Sequence, residues 1–446
     1  MKRFLETLKN IWTIEDLRVR IINTLGLLLI YRLGSYVVLP GIDSAALAEA
    51  NAGNTGGIAG LLDLFAGGAF SRASIFALGI MPYISASIVV QLLGIAIPYF
   101  QKLQKEGESG RRKINQITRM LTIIIVGFQA PGYILSQVPT ATSGGMMVRP
   151  DGPFWMVSAV IILITGTMFV MWLGERITEK GLGNGISLII MIGIIANLPF
   201  AFVAEFASRV KGGGLVILLV EMVILLLVII ATILLVQGTR RVPVQFAKRV
   251  VGNKQYGGVR QYIPLKVNAA GVMPIIFAQA IMFIPITLVG FADSDSLTGI
   301  AAVLSDYTGF WYNLIFALMI IAFTYFYTAV TVNPNQMAED MKKNGGFVPG
   351  VKPGKRTAEF LDTILSRITL PGSIFLAIVA ILPAFASKFG VNGQFAQFFG
   401  GTSLLIMVGV VLDTLQQVES HLLMRHYDGL MKSGRIKGRS SVNMAG

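Results

Sequence analysis

The chain has 446 residues, 54% of them hydrophobic and only 13% charged, with a formal net charge of +14. A single soluble core cannot hide that much apolar surface, which excludes a soluble globular protein and makes the chain integral to a membrane. The absence of cysteine excludes disulfides and thiolate metal sites, and His421 and His426 lie in a polar stretch that offers no histidine-based metal site.

In chain order, Glu6, Glu15 and Asp16 interrupt the N-terminal segment before the first apolar run, so no cleavable signal peptide is expected. The first span is predicted over 20–39, with Arg32 inside it. The apolar stretch 57–97 that follows is too long for one crossing, and Gly67-Gly68 and Ser71-Arg72 break it near its first third. Its second piece, 73–97, fits one span. Its first piece, 58–70, is too short to cross about 30 Å of hydrocarbon, and a short apolar helix at that depth survives only inside protein or lining a cavity. It is a candidate stopper in a pore. Further spans are predicted over 117–138, 153–173, 186–204, 214–237, 269–290, 310–332, 369–387 and 397–418, ten in all.

The hydrophilic segments alternate sharply in charge. Segments 1–20, 98–119, 174–182, 237–268, 334–369 and 419–446 hold 31 of the 37 Lys and Arg, whereas Arg72, Arg149, Arg209, Lys211 and Lys388 lie on the other side. Basic segments stay in the cytoplasm, so both termini are expected there and the net charge is largely a topology signal. Five spans up to residue 205 and five from 206 onward give halves of opposite orientation, the arrangement of an inverted repeat. The polar loops 238–268 and 333–368 are longer than topology requires, with Gly257-Gly258 and Pro349-Gly350 as turn signals. They read either as solvated connectors or as a platform for a large acidic or RNA-containing partner.

No catalytic constellation emerges. Gly354-Lys355 has Pro349 where a phosphate loop needs its leading glycine and Arg356 where it needs Ser or Thr. The run Gly181-Leu182-Gly183-Asn184-Gly185 follows no strand and reads as a tight connector. Glu221, the one acidic residue well inside a span, reads as the coupling carboxylate of an inverted-repeat secondary transporter, or as a residue facing a partner helix or the interface. A passive ion channel would instead call for rings of carbonyls or charges.

The runs IFALGIMPYISASIVVQLL (75–93) and FVMWLGERITEKGLGNGISLII (169–190) resemble the two most characteristic segments of the SecY/Sec61-alpha family of protein-conducting channels. KEGESGRRKI (105–114), PLKVNAAGVMP (264–274), GGFVPGVKPGKRT (345–357) and FGGTSLLI (399–406) follow in family order across both halves. The resemblance implies an all-α membrane protein of ten transmembrane helices in two inverted five-helix halves, 1–205 and 206–446, with a short re-entrant plug helix over 58–70. The implied function is a passive channel, without enzymatic activity or cofactor, that passes unfolded preproteins across the membrane and releases hydrophobic segments sideways into lipid.

Carried over residue by residue, the resemblance implies a pore ring of Ile80, Ile84, Ile186, Ile190, Ile276 and Ile406, with Ile88 continuing the stripe. Isoleucine gives water no hydrogen-bond partner, so such a ring gates by dewetting. The implied plug contains Ile58, Leu61, Leu62, Asp63, Leu64, Phe65, Gly67 and Gly68. A lateral gate is implied between the second and third spans on one side and the seventh and eighth on the other, where Gln91, Gln129 and Gln279 are polar. The implied partners are SecE clamping the halves, SecG at the periphery, and the SecA ATPase or a ribosome on the two large loops, with preprotein signal sequences and membrane lipid. Docking, including contact with ribosomal RNA, would fall to Arg240, Arg241, Lys248, Arg249, Lys352, Lys355 and Arg356. The implied location is the bacterial inner (plasma) membrane, multi-pass, with the polar tail 419–446 in the cytoplasm. Where the family usually carries Arg-Pro-Gly, this chain has Lys352-Pro353-Gly354, which keeps the charge but loses the bidentate fork.

Overall fold

The computed structural model describes residues 12, 14–51, 57–141, 146–211, 214–246, 249–251, 254–256, 260–289 and 308–432. A helix occupies each of the ten predicted stretches: α1 (Glu15–Gly34), α4 (Met81–Ala96), α6 (Glu108–Gln137), α7 (Pro153–Lys180), α8 (Gly185–Lys211), α9 (Leu215–Gln237), α10 (Met273–Val289), α11 (Phe310–Thr331), α13 (Lys355–Lys388) and α15 (Gly401–Lys432). Shorter helices intervene: α2 (Ser44–Asn51), α3 (Gly57–Ala66), α5 (Pro98–Lys105), α12 (Pro334–Lys343) and α14 (Gly393–Ala396). Among the described residues, 7 helices are long and apolar enough to cross a membrane, with α11 and α12 taken as one, or 8 if the bent pair α4 and α5 counts as one span. Residue 290 of the seventh predicted span lies outside the described residues.

The boundaries differ from the hydropathy reading for local reasons. The second span was expected from residue 73, but 67–80 run as turns and α4 begins only at Met81, with Pro82 in its first turn. Pro98 disfavours helical backbone at Ile97, so α4 ends at Ala96 and α5 leaves at 99°. At the polar ends α7, α13 and α15 run well past the apolar segment. Hydropathy marks where lipid ends, and the backbone hydrogen bonds continue beyond that point.

The bundle is closed by glycine at close helix approaches. A Cβ on Gly185 would meet Gly174 O at 2.0 Å, and one on Gly166 would meet Ile75 O at 2.0 Å. In the connector between α7 and α8, Gly183 adopts φ +80° and the Asn184 side chain caps α8, accepting from the Ile186 and Ser187 N–H groups at 3.2 and 3.4 Å. Thr24 Oγ1 accepts from Leu182 N–H at 3.0 Å and Gln417 Oε1 from Gly183 N–H at 2.8 Å, so this connector pins α1, α7, α8 and α15 together.

The two large polar loops form one folded unit. Strand β1 (Thr239–Phe246) pairs antiparallel with β4 (Arg260–Lys266), while β2 (Arg249–Val251) and β3 (Lys254–Tyr256) form a small hairpin between them. From the second loop, β5 (Gly346–Phe347) adds to the free edge of β1, with Gln245 opposite Phe347. Val242 and Val244 alternate inward along β1 and meet Leu265, Met341, Val348, Leu361 and Leu365 in a small apolar core. The base of this unit is the extension of α13 beyond its span.

Candidate functional site: a plugged apolar constriction

Four helices from both halves of the chain converge on one gap. Ile84 on α4, Ile190 on α8, Ile276 on α10 and Ile406 on α15 surround a cavity of about 10 Å³, capped by Phe65 of α3. That volume is at the limit for one water. Ile84, Ile190 and Ile406 are buried and Ile276 is half-buried; Met81, Gln279 and Thr402 complete the lining, so most of the wall gives water nothing to bond. β-branched side chains also have few χ1 options, which stiffens the collar. The other two expected ring members flank it. Ile80 lies before the first turn of α4 and lines a neighbouring cavity of about 30 Å³ with Phe65, Phe70 and Gln129. Ile186 sits one turn before Ile190 on α8, half-buried against the same apolar core, and Ile88 is buried in it as well.

The helix α3 is seated against α8 where α8 offers glycine. A Cβ on Gly193 would come within 2.4 Å of Phe65 O and 3.2 Å of Gly67 N. Leu64 and Phe65 are buried there, whereas Ile58, Leu61 and Leu62 have side chains outside the described set. The helix is shorter than expected, ending at Ala66 in a paired C-cap. Gly67 N–H donates to Leu64 O at 3.2 Å and Gly68 N–H to Asp63 O at 2.9 Å, with φ of +66° and +84° that only glycine adopts without strain. Asp63 Oδ1 accepts from Ser71 N–H at 2.8 Å, and Tyr133 donates to Phe70 O at 2.6 Å. Beside α3 opens a cavity of about 290 Å³ whose polar lining is Asp63, Arg72, Gln137, Asn197, Gln394 and Gln397. The helix α3 thus meets a narrow, largely apolar gap at Phe65 and a roomier cavity of mixed polar and apolar lining at Asp63 and Leu64.

At the expected lateral gate, α4 packs against α6 on one side and α10 on the other, and α10 against α11. Gln279 is buried and lines the constriction, Gln129 is half-buried beside Ile80, and exposed Gln91 donates to Ser87 Oγ on its own helix at 3.3 Å. Among the described residues no hydrogen bond joins these three glutamines across the seam.

Glu221 does not line the gap and sits in an ion cluster that sequence reading missed. Arg209 Nε bonds Glu205 Oε1 at 2.7 Å, and its Nη2 bonds both Glu221 Oε1 and Gly390 O. Glu205 Oε2 accepts from Asn392 N–H at 2.7 Å. The cluster ties α8, α9 and the α13–α14 turn together beside the link between the two halves. Both carboxylates are buried, and Arg209, four residues after Glu205 on α8, was the available signal. Its carboxylate is committed to Arg209, outside the lining of the gap.

On the β-sheet unit, Arg240, Arg241, Lys352, Lys355 and Arg356 are all exposed; Arg249 opens β2, and Lys248 lies outside the described residues. Among the described residues no three His, Asp or Glu side chains could hold a metal ion.

The family model for SecY matches residues 74–415. The chain is 42% identical to the protein translocase subunit SecY of Mycobacterium bovis over 452 aligned residues, covering 97% of this chain and 100% of that protein. It superposes on the structure described as "The plug domain of the SecY protein stablizes the closed state of the translocation channel and maintains a membrane seal" with TM-score 0.62 and 17% identity, covering 94% of this chain and 95% of that one. It also superposes on "Sec61 in the Canine ribosome-channel complex from the endoplasmic reticulum", with TM-score 0.57, 16% identity and coverage of 94% and 95%. With most of its length matched by the family model and a full-length relative at this identity, the chain belongs to the SecY family.

Proposed function

We propose that the chain is a passive protein-conducting channel that threads unfolded preproteins through the Ile84–Ile190–Ile276–Ile406 constriction, with α3 as its resting stopper. The observation that carries this reading is the convergence of four aliphatic side chains from four helices on a gap too small for more than one water, with Phe65 seated in it. Ile80 and Ile186 complete the collar as chain passes. The seam between α4 and α10 is the lateral exit, where hydrophobic segments reach lipid with few polar contacts to break, since membrane hydrogen bonds average about 0.6 kcal/mol. The residues 1–205 and 206–446 act as the two halves of a clamshell in the bacterial inner membrane, both termini cytoplasmic. SecE clamps them and SecG sits at the periphery.

The collar makes the first test. Ile406→Asn buries an amide without a partner in the closed state, a cost of about 1–3 kcal/mol that favours the hydrated, open collar. Idle channels in planar bilayers should conduct ions more often than wild type, and preproteins with defective signal sequences should be exported. Wild-type closed conductance would remove Ile406 from the collar.

The energy source docks on the β-sheet unit, as SecA ATPase or ribosome. Both loops contribute to one surface, so Arg240 and Arg241 from the first and Lys352, Lys355 and Arg356 from the second can meet one partner together. Arg356→Glu should weaken import into membrane vesicles. Against a ribosomal RNA partner it should also lower the slope of log affinity against log salt by roughly one. Wild-type import with salt-independent partner binding would move docking away from the second loop.

A further inference from the structure

Arg32 is a cation near the end of an apolar helix, and the channel reading leaves it without a role. A charge at membrane depth is costly and marks function when it persists. Among the described residues Arg32 has no carboxylate partner. It lies in the last turn of α1, where the helix dipole favours a cation. Its guanidinium is 5.1 Å from the Tyr36 ring centroid, with Arg72 at 4.3 Å from the same ring, and Nη2 donates to Tyr36 Oη at 3.2 Å. Nη1 donates to the Gly67 carbonyl, in the C-cap turn that ends the stopper helix.

Three side chains from the bundle hold the stopper backbone between Asp63 and Gly67. Tyr31 Oη reaches Ala66 O at 3.4 Å and Asn197 Nδ2 reaches Asp63 O at 3.5 Å, both long and neutral. The bond from Arg32 is charge-assisted, roughly twice the strength of a neutral one. It is also built into the chain at 67, because a Cβ there would sit 2.6 Å from Arg32 Nη1. Glycine at 67 serves the left-handed turn and the approach of the cation at once.

We infer that Arg32 is the positioning residue that latches the stopper shut, and that breaking its bond to Gly67 is a main cost of opening. The inference rests on the reading of α3 as the resting stopper. Losing a hydrogen bond to a charged group shifts the docked-to-undocked ratio by roughly ten- to a hundredfold. Tyr36 holds the guanidinium through its ring and its hydroxyl.

The test compares the full-length channel with its partner subunits in planar bilayers as wild type, Arg32→Gln, Arg32→Lys, Tyr36→Leu, a deletion of 57–66, and that deletion combined with Arg32→Gln. Arg32→Gln should raise idle conductance and the export of a preprotein with a defective signal sequence. Arg32→Lys should restore part of the closure, and Tyr36→Leu should leak in the same direction but less. In the deletion background Arg32→Gln should add nothing. If the deletion leaks and Arg32→Gln is as tight as wild type, the latch is overturned while the stopper stands. Additional leak from Arg32→Gln in the deletion background would place its effect on the pore wall and overturn the latch too. A deletion that does not leak removes the stopper reading, and the latch with it.

Discussion

Deleting residues 57–66 should leave the bundle inserted in the membrane and let small ions through the idle channel. The segment contributes little that the bundle needs. Its described buried side chains are Leu64, Phe65 and Ala66, and fully burying Leu or Phe is worth about 1.5–3 kcal/mol, small beside the helix packing of the rest. Of the groups that lose a partner, Asn197 lines the cavity of about 290 Å³, where water can satisfy it, and Tyr31 loses only a long bond to Ala66 O, while the Gly67 carbonyl that accepts from Arg32 stays in the chain. The constriction loses Phe65, the side chain that fills its outer side. Single-channel recordings should therefore show frequent openings, with a flickering character because the isoleucine collar still favours the dewetted state. Protein that disappears from the membrane on deletion would show that α3 holds the fold together, and a silent channel would leave closure to the collar alone.

Much of this arrangement is legible in the sequence, and the reason is the solvent. Lipid demands long apolar helices, so hydropathy located every one of the ten helical stretches and singled out 58–70 as too short to cross. What hydropathy cannot see is hydrogen bonding. It ran the second span back to residue 73, because 73–80 are apolar, whereas their backbone turns and α4 starts only at Met81. It also cut the spans of α7, α13 and α15 at 173, 369 and 418, whereas their ladders continue into the polar region. Pairing across long sequence separation was equally hidden. Connector or platform, neither reading of the two basic loops contained their pairing, because no local pattern says that Gln245 will face Phe347 a hundred residues later. Within the site, the motif match supplied the isoleucines, and the packing divided them into four around the gap and two beside it. Arg32 was visible as a charge inside a span, but its partner is a backbone carbonyl. A carbonyl has no sequence signature beyond the glycine that carries it.

The substitution expected to cost most stability is Arg209→Ala. It removes the one cation from a cluster that holds two buried carboxylates, Glu205 at 0% and Glu221 at 5% exposure. Breaking a buried charge pair by deleting one partner typically costs about 3–5 kcal/mol, because the remaining charge keeps its desolvation penalty without its attraction. Here two like charges would remain, and Glu221 Oε2 already has no partner. Gly390 O and the turn that bears Asn392 would lose their anchor as well, so the defect should spread from α8 and α9 to the α13–α14 turn. Thermal unfolding of the purified channel in detergent should report a marked loss. Glu221→Gln is the contrasting variant: it keeps an acceptor toward Arg209 and leaves Glu205 and Arg209 charge-balanced, so stability should change little and import should persist. That contrast also separates the channel from an inverted-repeat transporter. A transporter whose coupling carboxylate is Glu221 would lose transport on Glu221→Gln while melting normally. A channel should show its loss with Arg209→Ala, and show it in the melt.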